Sequence, residues 1–377
     1  MKKILYLYSD AGGCHKIAAE AIAEAIDYKS PGNFEHKIVD IWSLGSKFQE
    51  KLFGEGAYKN AMQYYPSLYG LGFWLTNSRP ISSFLSRLNY PSLGRGLKEL
   101  IQSERPDLIV SVHPLVNSPL IQSLRELNLY GVVPTINCEL ELVTVHHFWV
   151  DRGFDYNVVP TKEARDLFLK RGVHPGKIKL IGFPVRKKFL EELPDNTSLR
   201  RELGLDENKF SILIMGGAEG VGDIVGIVNE LKKARKEIQV LVCTGKNKRL
   251  FDQLKSLHVS YSLKVYSFTE KIPQLMRASD LILTKAGAAS VSEAIASELP
   301  MIIYSYIPGQ EAGSPGWVEK NGFGKYVKEP ELIVKTINNW VESGKINEIR
   351  SNISKFRDPA STFKIADLIL SILKTKL

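Results

Sequence analysis

The chain has little cysteine: Cys14, Cys138 and Cys243 are its three, and none lies in a Cys-x-x-Cys pair. An odd, scattered count argues against a disulfide scaffold and for a reducing compartment, the cytoplasm. Long apolar runs are missing too, since no stretch reaches the roughly 18 residues a spanning helix requires. The start, MKKILYLYSD, has the basic end of a signal peptide, but its apolar stretch stops at Ser9 and Asp10, so it reads as a first strand. Absence of a Cys/His zinc-finger spacing, an RNP sequence or a long basic helix disfavours nucleic acid as a partner. No Asp-x-Asp pair stands in a plausible loop to carry a divalent ion, and no metal is expected. His146 and His147 are adjacent, so in extended chain they point to opposite sides and make a poor metal site.

What is present indicates a large enzyme of two parts. A length of 377 residues with 44% hydrophobic content exceeds what one core usually fills. Strand-like runs fall at 4–8, 37–41, 108–112, 132–136, 156–159 and 178–181. After a polar stretch a second set appears at 211–215, 240–243, 264–266, 281–283 and 301–304. Each set alternates with helical stretches, which predicts an α/β protein of two doubly wound, Rossmann-like domains facing a central cleft. The expected divisions are 1–185, a linker at 186–208, 209–355, and a last helix in 356–377 that packs back across both domains.

The richest stretch is DLILTKAGAASVSEAIASELPMIIYSYIPGQEAGS, residues 280–314. A short apolar strand is followed by Gly287, Ala288, Ala289 and Ser290, which have almost no side-chain bulk, so backbone can approach a ligand closely. A helix opens there, and its free N–H groups and positive dipole end suit a diphosphate. Glu293, one turn in, has a carboxylate able to accept hydrogen bonds from two adjacent hydroxyls of a ribose. Gln310 and Glu311, after the turn at Pro308 and Gly309, offer donors and acceptors for a sugar ring. Glu293 alone also fits a solvated helix face; the whole run favours a nucleotide-sugar pocket.

At the amino terminus a strand leads through Gly12 and Gly13 into an Ala-rich helix that starts near His15. A neutral imidazole at a helix start has its pKa lowered by the dipole and stays available as a base near neutral pH. A Gly-Gly-x-His run also fits a histidine that merely caps a helix. The loop MGGAEGVGD, with Gly217, opens the second set as SDAGG opens the first.

The segment TKAGAASVSEAI…LPMIIYSYIPGQEAGS resembles the donor-binding signature of glycosyltransferase family 28. The likeness is greatest to its branch of monogalactosyldiacylglycerol synthases and processive diacylglycerol glucosyltransferases, and more distant to the peptidoglycan N-acetylglucosaminyltransferase. The resemblance implies the GT-B fold, with Glu293 on the uridine ribose. It places Gly287, Ala288, Ala289 and Ser290 at the diphosphate, and Gln310 and Glu311 at the sugar, with Lys285 and Gly309 counted among the donor-binding residues. YSFTEKIPQLM is similar to the segment that meets the uracil, here near Phe268 and Thr269. SDAGGCHK resembles the family's Gly-Gly-Gly-His run, which implies that His15 is the catalytic base. Cys14 stands where the family has its third glycine, and is strained if that position needs positive φ. ELVTVHHFWV is similar to a family run whose Asp is placed near the acceptor; Glu141 stands there, which implies a role beside His15, although an exposed loop carboxylate also fits.

The formal charge of +9 favours an anionic partner. Residues 52–97 mix Phe53, Tyr58, Tyr64, Tyr65, Tyr69, Phe73 and Trp74 with Lys59, Arg79, Arg87 and Arg95, a composition suited to the headgroup layer of an acidic membrane. With the lipid acceptors the resemblance implies, the expected activity is inverting transfer of a hexose from UDP-glucose or UDP-galactose to diacylglycerol or a glycosyl-diacylglycerol. It would take place on the inner face of the cell membrane, with no cofactor. A UDP-sugar 2-epimerase, a transferase with a soluble acceptor and a non-catalytic nucleotide-sugar binder are the alternatives.

Overall fold

A computed structural model describes residues 1–9, 13–45, 56, 65–191 and 194–374. Two compact units emerge. The first comprises Met1–Lys187 with Pro308–Gln310 and Ala360–Leu377, and the second Lys188–Ile307 with Glu311–Pro359.

In the first unit the chain runs β1 (Lys2–Tyr8), α1 (Cys14–Lys29), β2 (Phe34–Asp40), α2 (Pro66–Thr76), α3 (Arg79–Glu104), β3 (Leu108–Ser111), α4 (Asn117–Glu126), β4 (Thr135–Cys138), β5 (Tyr156–Val159), α5 (Lys162–Lys170) and β6 (Ile178–Leu180). The strands form one parallel sheet in the order β2-β1-β3-β4-β5-β6. Ile4, Leu5, Tyr6 and Leu7 are all fully buried, as befits a central parallel strand covered on both faces. Leu93, Leu97 and Ile101 of α3 join Leu120 and Leu124 of α4 in one core with Leu5, Leu7 and Ile109. The final helix, Ser361–Lys374, packs on α1, with Lys29 paired to Asp367 at 2.8 Å. It therefore belongs to the first unit, where the sequence suggested a helix shared by both domains. Thr362 fastens it by donating to the Val185 carbonyl, 2.8 Å away.

In the second unit the order is α6 (Asn196–Glu202), β7 (Phe210–Met215), α7 (Ile224–Glu230), β8 (Ile238–Cys243), α8 (Lys248–Lys255), β9 (Ser262–Tyr266), α9 (Ile272–Arg277), β10 (Leu281–Lys285), α10 (Ala288–Ala296), β11 (Met301–Ser305), α11 (Ser314–Lys320), β12 (Gly324–Tyr326), α12 (Pro330–Ser343) and α13 (Lys345–Phe356). The sheet is again wholly parallel, in the order β12-β11-β10-β7-β8-β9. Residues 188–208, most of the expected linker, are part of this unit. Arg200 explains why: buried in α6, it donates to the carbonyls of Ala278 (3.0 Å) and Glu207 (2.8 Å) and pairs with Asp280 at 2.7 Å. Every one of those bonds compensates the buried guanidinium charge.

Among the described residues no helix is long and apolar enough to cross a membrane.

Candidate active site

Both sheets reverse their strand order once, and ligands of open α/β sheets collect beyond the carboxyl ends of the strands at such a point. In the first unit the reversal lies between β1 and β3. Gly13 takes the left-handed φ of 77° that turns the chain into α1, and Cys14 is already helical. The strain anticipated at Cys14 therefore does not arise. Gly12 lies outside the described residues.

His15, in the first turn of α1, is only 5% exposed, and its Nδ1 is 2.6 Å from the Val112 carbonyl oxygen. A carbonyl accepts and never donates, so Nδ1 carries the proton and Nε2 keeps its lone pair. The ring meets His113 edge-on, with centroids 4.8 Å apart, and lies 6.1 Å from the ring of Trp149. Burial lowers its pKa, against opposing pulls from the Val112 hydrogen bond and the Glu141 charge. Desolvation thus does what sequence reasoning assigned to the helix dipole. The same burial, with His15 alongside, holds the His113 pKa well below the ordinary value, and His113 Nδ1 has no partner among the described residues.

Glu141 is buried rather than exposed, and its Oε1 accepts from Gln310 Nε2 at 2.7 Å. Tyr69 donates its hydroxyl to Gln310 Oε1 at 3.0 Å, and Gln310 belongs to the first unit. The loop after β4 is held by a buried amide ladder. Ser111 donates to Asn117 (2.6 Å), Asn117 to Asn137 (3.1 Å) and Asn137 to Asn157 (3.0 Å), while both Asn117 and Asn137 also donate to the Trp149 carbonyl. Sequence reasoning missed these residues; their signal was polar side chains in otherwise apolar strands, at Ser111, Asn137 and Asn157, and at the start of α4, at Asn117. His146 is structural: its Nδ1 accepts from the Phe148 N–H, its Nε2 is 3.1 Å from Thr76 Oγ1, and burial pushes its pKa down to about 4.

In the second unit the reversal lies between β7 and β10. Gly217, with a φ of 72°, follows β7, and a Cβ there would come within 2.8 Å of Lys285 Cε. A Cβ on Gly287 would meet Lys285 Nζ at 3.0 Å and Glu311 Oε1 at 3.3 Å. Lys285 and Glu311 form an ion pair at this spot, and Glu311 Oε2 accepts from the Ile307 N–H at 2.8 Å. Ala288, Ala289 and Ser290 open α10, whose N-terminal end has no side-chain cap. Its free N–H groups favour an anion at this end, while the Lys285 ammonium is neutralised by Glu311. Glu293 is buried one turn further on. Phe268, 65% exposed, and Thr269 follow β9, two strands from β7. Gly309 lies in the turn, at φ 84°, that carries Gln310. The structure thus groups Gly13, His15, Glu141, Gly309 and Gln310 in one unit, and Gly217, Phe268, Thr269, Lys285, Gly287, Ala288, Ala289, Ser290, Glu293 and Glu311 in the other.

Two parallel six-stranded sheets of this topology define the GT-B class. The MurG structure of Acinetobacter baumannii aligns over 98% of this chain and 100% of its own, with a TM-score of 0.65 at 14% identity. HepE of Anabaena in complex with UDP aligns over 100% of both chains, with a TM-score of 0.59 at 16% identity. Residues 15–185 match the monogalactosyldiacylglycerol (MGDG) synthase family model, and residues 211–315 the glycosyltransferase family 28 C-terminal domain. The chloroplastic monogalactosyldiacylglycerol synthase of Spinacia oleracea is 32% identical over 100% of this chain and 73% of its own length. Monogalactosyldiacylglycerol synthase 1 of Arabidopsis thaliana is 31% identical over 100% of this chain and 72% of its length. The chain belongs to the monogalactosyldiacylglycerol synthase family of glycosyltransferases.

Proposed function

We propose that this protein transfers a hexose from UDP-glucose or UDP-galactose to diacylglycerol or a glycosyl-diacylglycerol, with inversion at the anomeric carbon. The observation that carries the reading is the His15 tautomer: with Nδ1–H committed to Val112, Nε2 is the basic atom. It takes the proton of the acceptor hydroxyl as that oxygen attacks the anomeric carbon, and the bond to the diphosphate breaks, releasing UDP. Glu141, coupled electrostatically to His15, favours the imidazolium as it forms. Lys285 and the N–H groups at Ala288, Ala289 and Ser290 offset the charge on the departing diphosphate. No divalent cation is expected in this step, and an unchanged rate on chelation is the result that agrees with that expectation.

Support for the donor comes from HepE, solved with UDP-glucose, and support for the acceptor from the name of the spinach relative. Peripheral attachment to the cytoplasmic face of a membrane fits the exposed apolar side chains of α2 and α3. Incubation with either UDP-hexose and diacylglycerol vesicles, followed by mass and NMR analysis of the lipids, tests the proposal. A β-hexosyl-diacylglycerol supports it. Turnover that is independent of vesicles, or that yields an epimerised UDP-sugar, sinks it.

A further inference from the structure

Glu139 is used by neither the proposed base nor the donor site, yet it is fully buried just past the end of β4. Its own N–H donates to the Val158 carbonyl at 2.9 Å, which ties the residue to β5. Its Oε1 accepts the backbone N–H of Glu141, and its Oε2 has no partner among the described residues. We propose that Glu139 is a positioning residue for the transfer reaction: its buried carboxyl fixes the main chain at Glu141 and so keeps the Glu141 side chain in electrostatic reach of the His15 imidazole. This inference rests on the roles proposed above for His15 and Glu141.

The surroundings decide which acid holds the proton. Glu141 on the same loop, Cys138 at the end of β4 and Arg171 beyond α5 are the ionisable groups that act on Glu139. Burial first, and the Glu141 charge second, raise the Glu139 pKa well above the usual carboxylate range, against the Glu141 N–H and the Arg171 guanidinium. Arg171 spends one nitrogen on the Val145 carbonyl, and burial lowers its own pKa. Glu139 therefore holds its proton more readily than an ordinary carboxyl, and Glu141, which accepts from Gln310, acts through its charge on both Glu139 and His15. A negative charge at residue 139 would stand against the Glu141 charge, which is what disfavours it. Glutamine at 139 reproduces the neutral acid, because its amide oxygen accepts the Glu141 N–H.

The experiment compares Glu139→Gln and Glu139→Leu in the full chain, with His15→Ala alongside. The readouts are kcat, KM for UDP-hexose, the pH profile of kcat/KM and the melting curve. E139Q is expected to retain kcat within about threefold, whereas E139L loses about tenfold or more with KM unchanged. In E139L the acid limb moves to lower pH, since a displaced Glu141 no longer raises the His15 pKa; loss of structure alone does not move that limb. Wild-type kcat in a folded E139L, or an E139Q as impaired as E139L, overturns the inference. Should E139L fail to melt cooperatively, Glu139→Asp is read the same way: lower kcat with a displaced acid limb supports, and wild-type behaviour overturns. Full activity in His15→Ala overturns both this inference and the base assignment, while an inactive His15→Ala beside unaffected Glu139 variants overturns this inference alone.

Discussion

Lys285 and Glu311 neutralise each other beside Gly217 and Gly287, so the cation proposed to meet the diphosphate already has an anionic partner. A diphosphate that takes the ammonium must compete with that carboxylate. Lys285→Ala is expected to weaken UDP binding by about 10- to 100-fold, the loss of one charge-assisted hydrogen bond. Glu311→Gln keeps an oxygen for the Ile307 N–H but frees Lys285, so UDP is expected to bind more tightly. Titration calorimetry with UDP checks both directions, and equal affinities across the three proteins would contradict the assignment.

His15, the proposed base, belongs to the first unit and the proposed diphosphate residues to the second, so the two proposed roles are separable by mutation. His15→Ala is expected to lower kcat by roughly 10²- to 10⁴-fold, the usual yield of a positioned base. UDP affinity should hardly change. Because burial lowers the His15 pKa, the neutral base persists into mildly acidic solution, and the acid limb of kcat should lie below the ordinary imidazole value of about 6.5. A limb above that value would mean that another group titrates.

The sheets were legible because parallel strands buried on both faces read as continuous apolar runs: Tyr156–Val159 has the extent expected, and Phe210–Met215 differs by one residue. Gly324–Tyr326 was not, since three residues reading GKY carry no period and owe their strand to pairing with β11. The place of 188–208 in the second unit was not legible, because the bonds that compensate Arg200 come from Ala278 and Asp280, about 80 residues away in sequence. Of the aromatics expected on a membrane face, Tyr69 and Phe73 turn inward, to Gln310 and to His146. Phe53, Tyr58, Lys59 and Tyr64 lie outside the described residues. The loop partners of His15 were equally hidden, because Val112 and Trp149, the latter held through its carbonyl by Asn117 and Asn137, meet it only through the order of strands β1, β3 and β4.

His146 gives the first unit a stability that depends on pH. Its native pKa of about 4 lies below the unfolded value of 6.5, so between these the unfolded chain binds the proton and the native one does not. Stability is then fully present above about pH 6.5 and falls as the pH drops toward 4, by up to about 3 kcal/mol from this group. His146→Gln should flatten that part of the profile, and the opposite slope from Glu139 is common to both proteins. Urea unfolding followed by hydrogen exchange over residues 135–159, at pH 7 and 4.5, measures the difference; parallel profiles would count against it.

Leu68, Leu71 and Leu75 on α2, and Ile81, Phe84 and Leu88 on α3, each recur at i, i+3 and i+7, and all are exposed, as is Trp74. Water-facing stripes of this size are unusual on a soluble surface and suit insertion at the acyl boundary, with the exposed Arg79 and Arg87 meeting lipid phosphates. Removing one such side chain should cost about 1 kcal/mol of partitioning, because only part of each was water-exposed. Leu71→Ser, Trp74→Ser and Phe84→Ser together are then expected to lower binding to anionic liposomes by about 100-fold, with UDP affinity unchanged. Arg79→Glu should act on anionic vesicles, more at low salt, and little on neutral ones. Flotation of the triple variant with liposomes to the same extent as the wild type would show that this face is not the membrane contact.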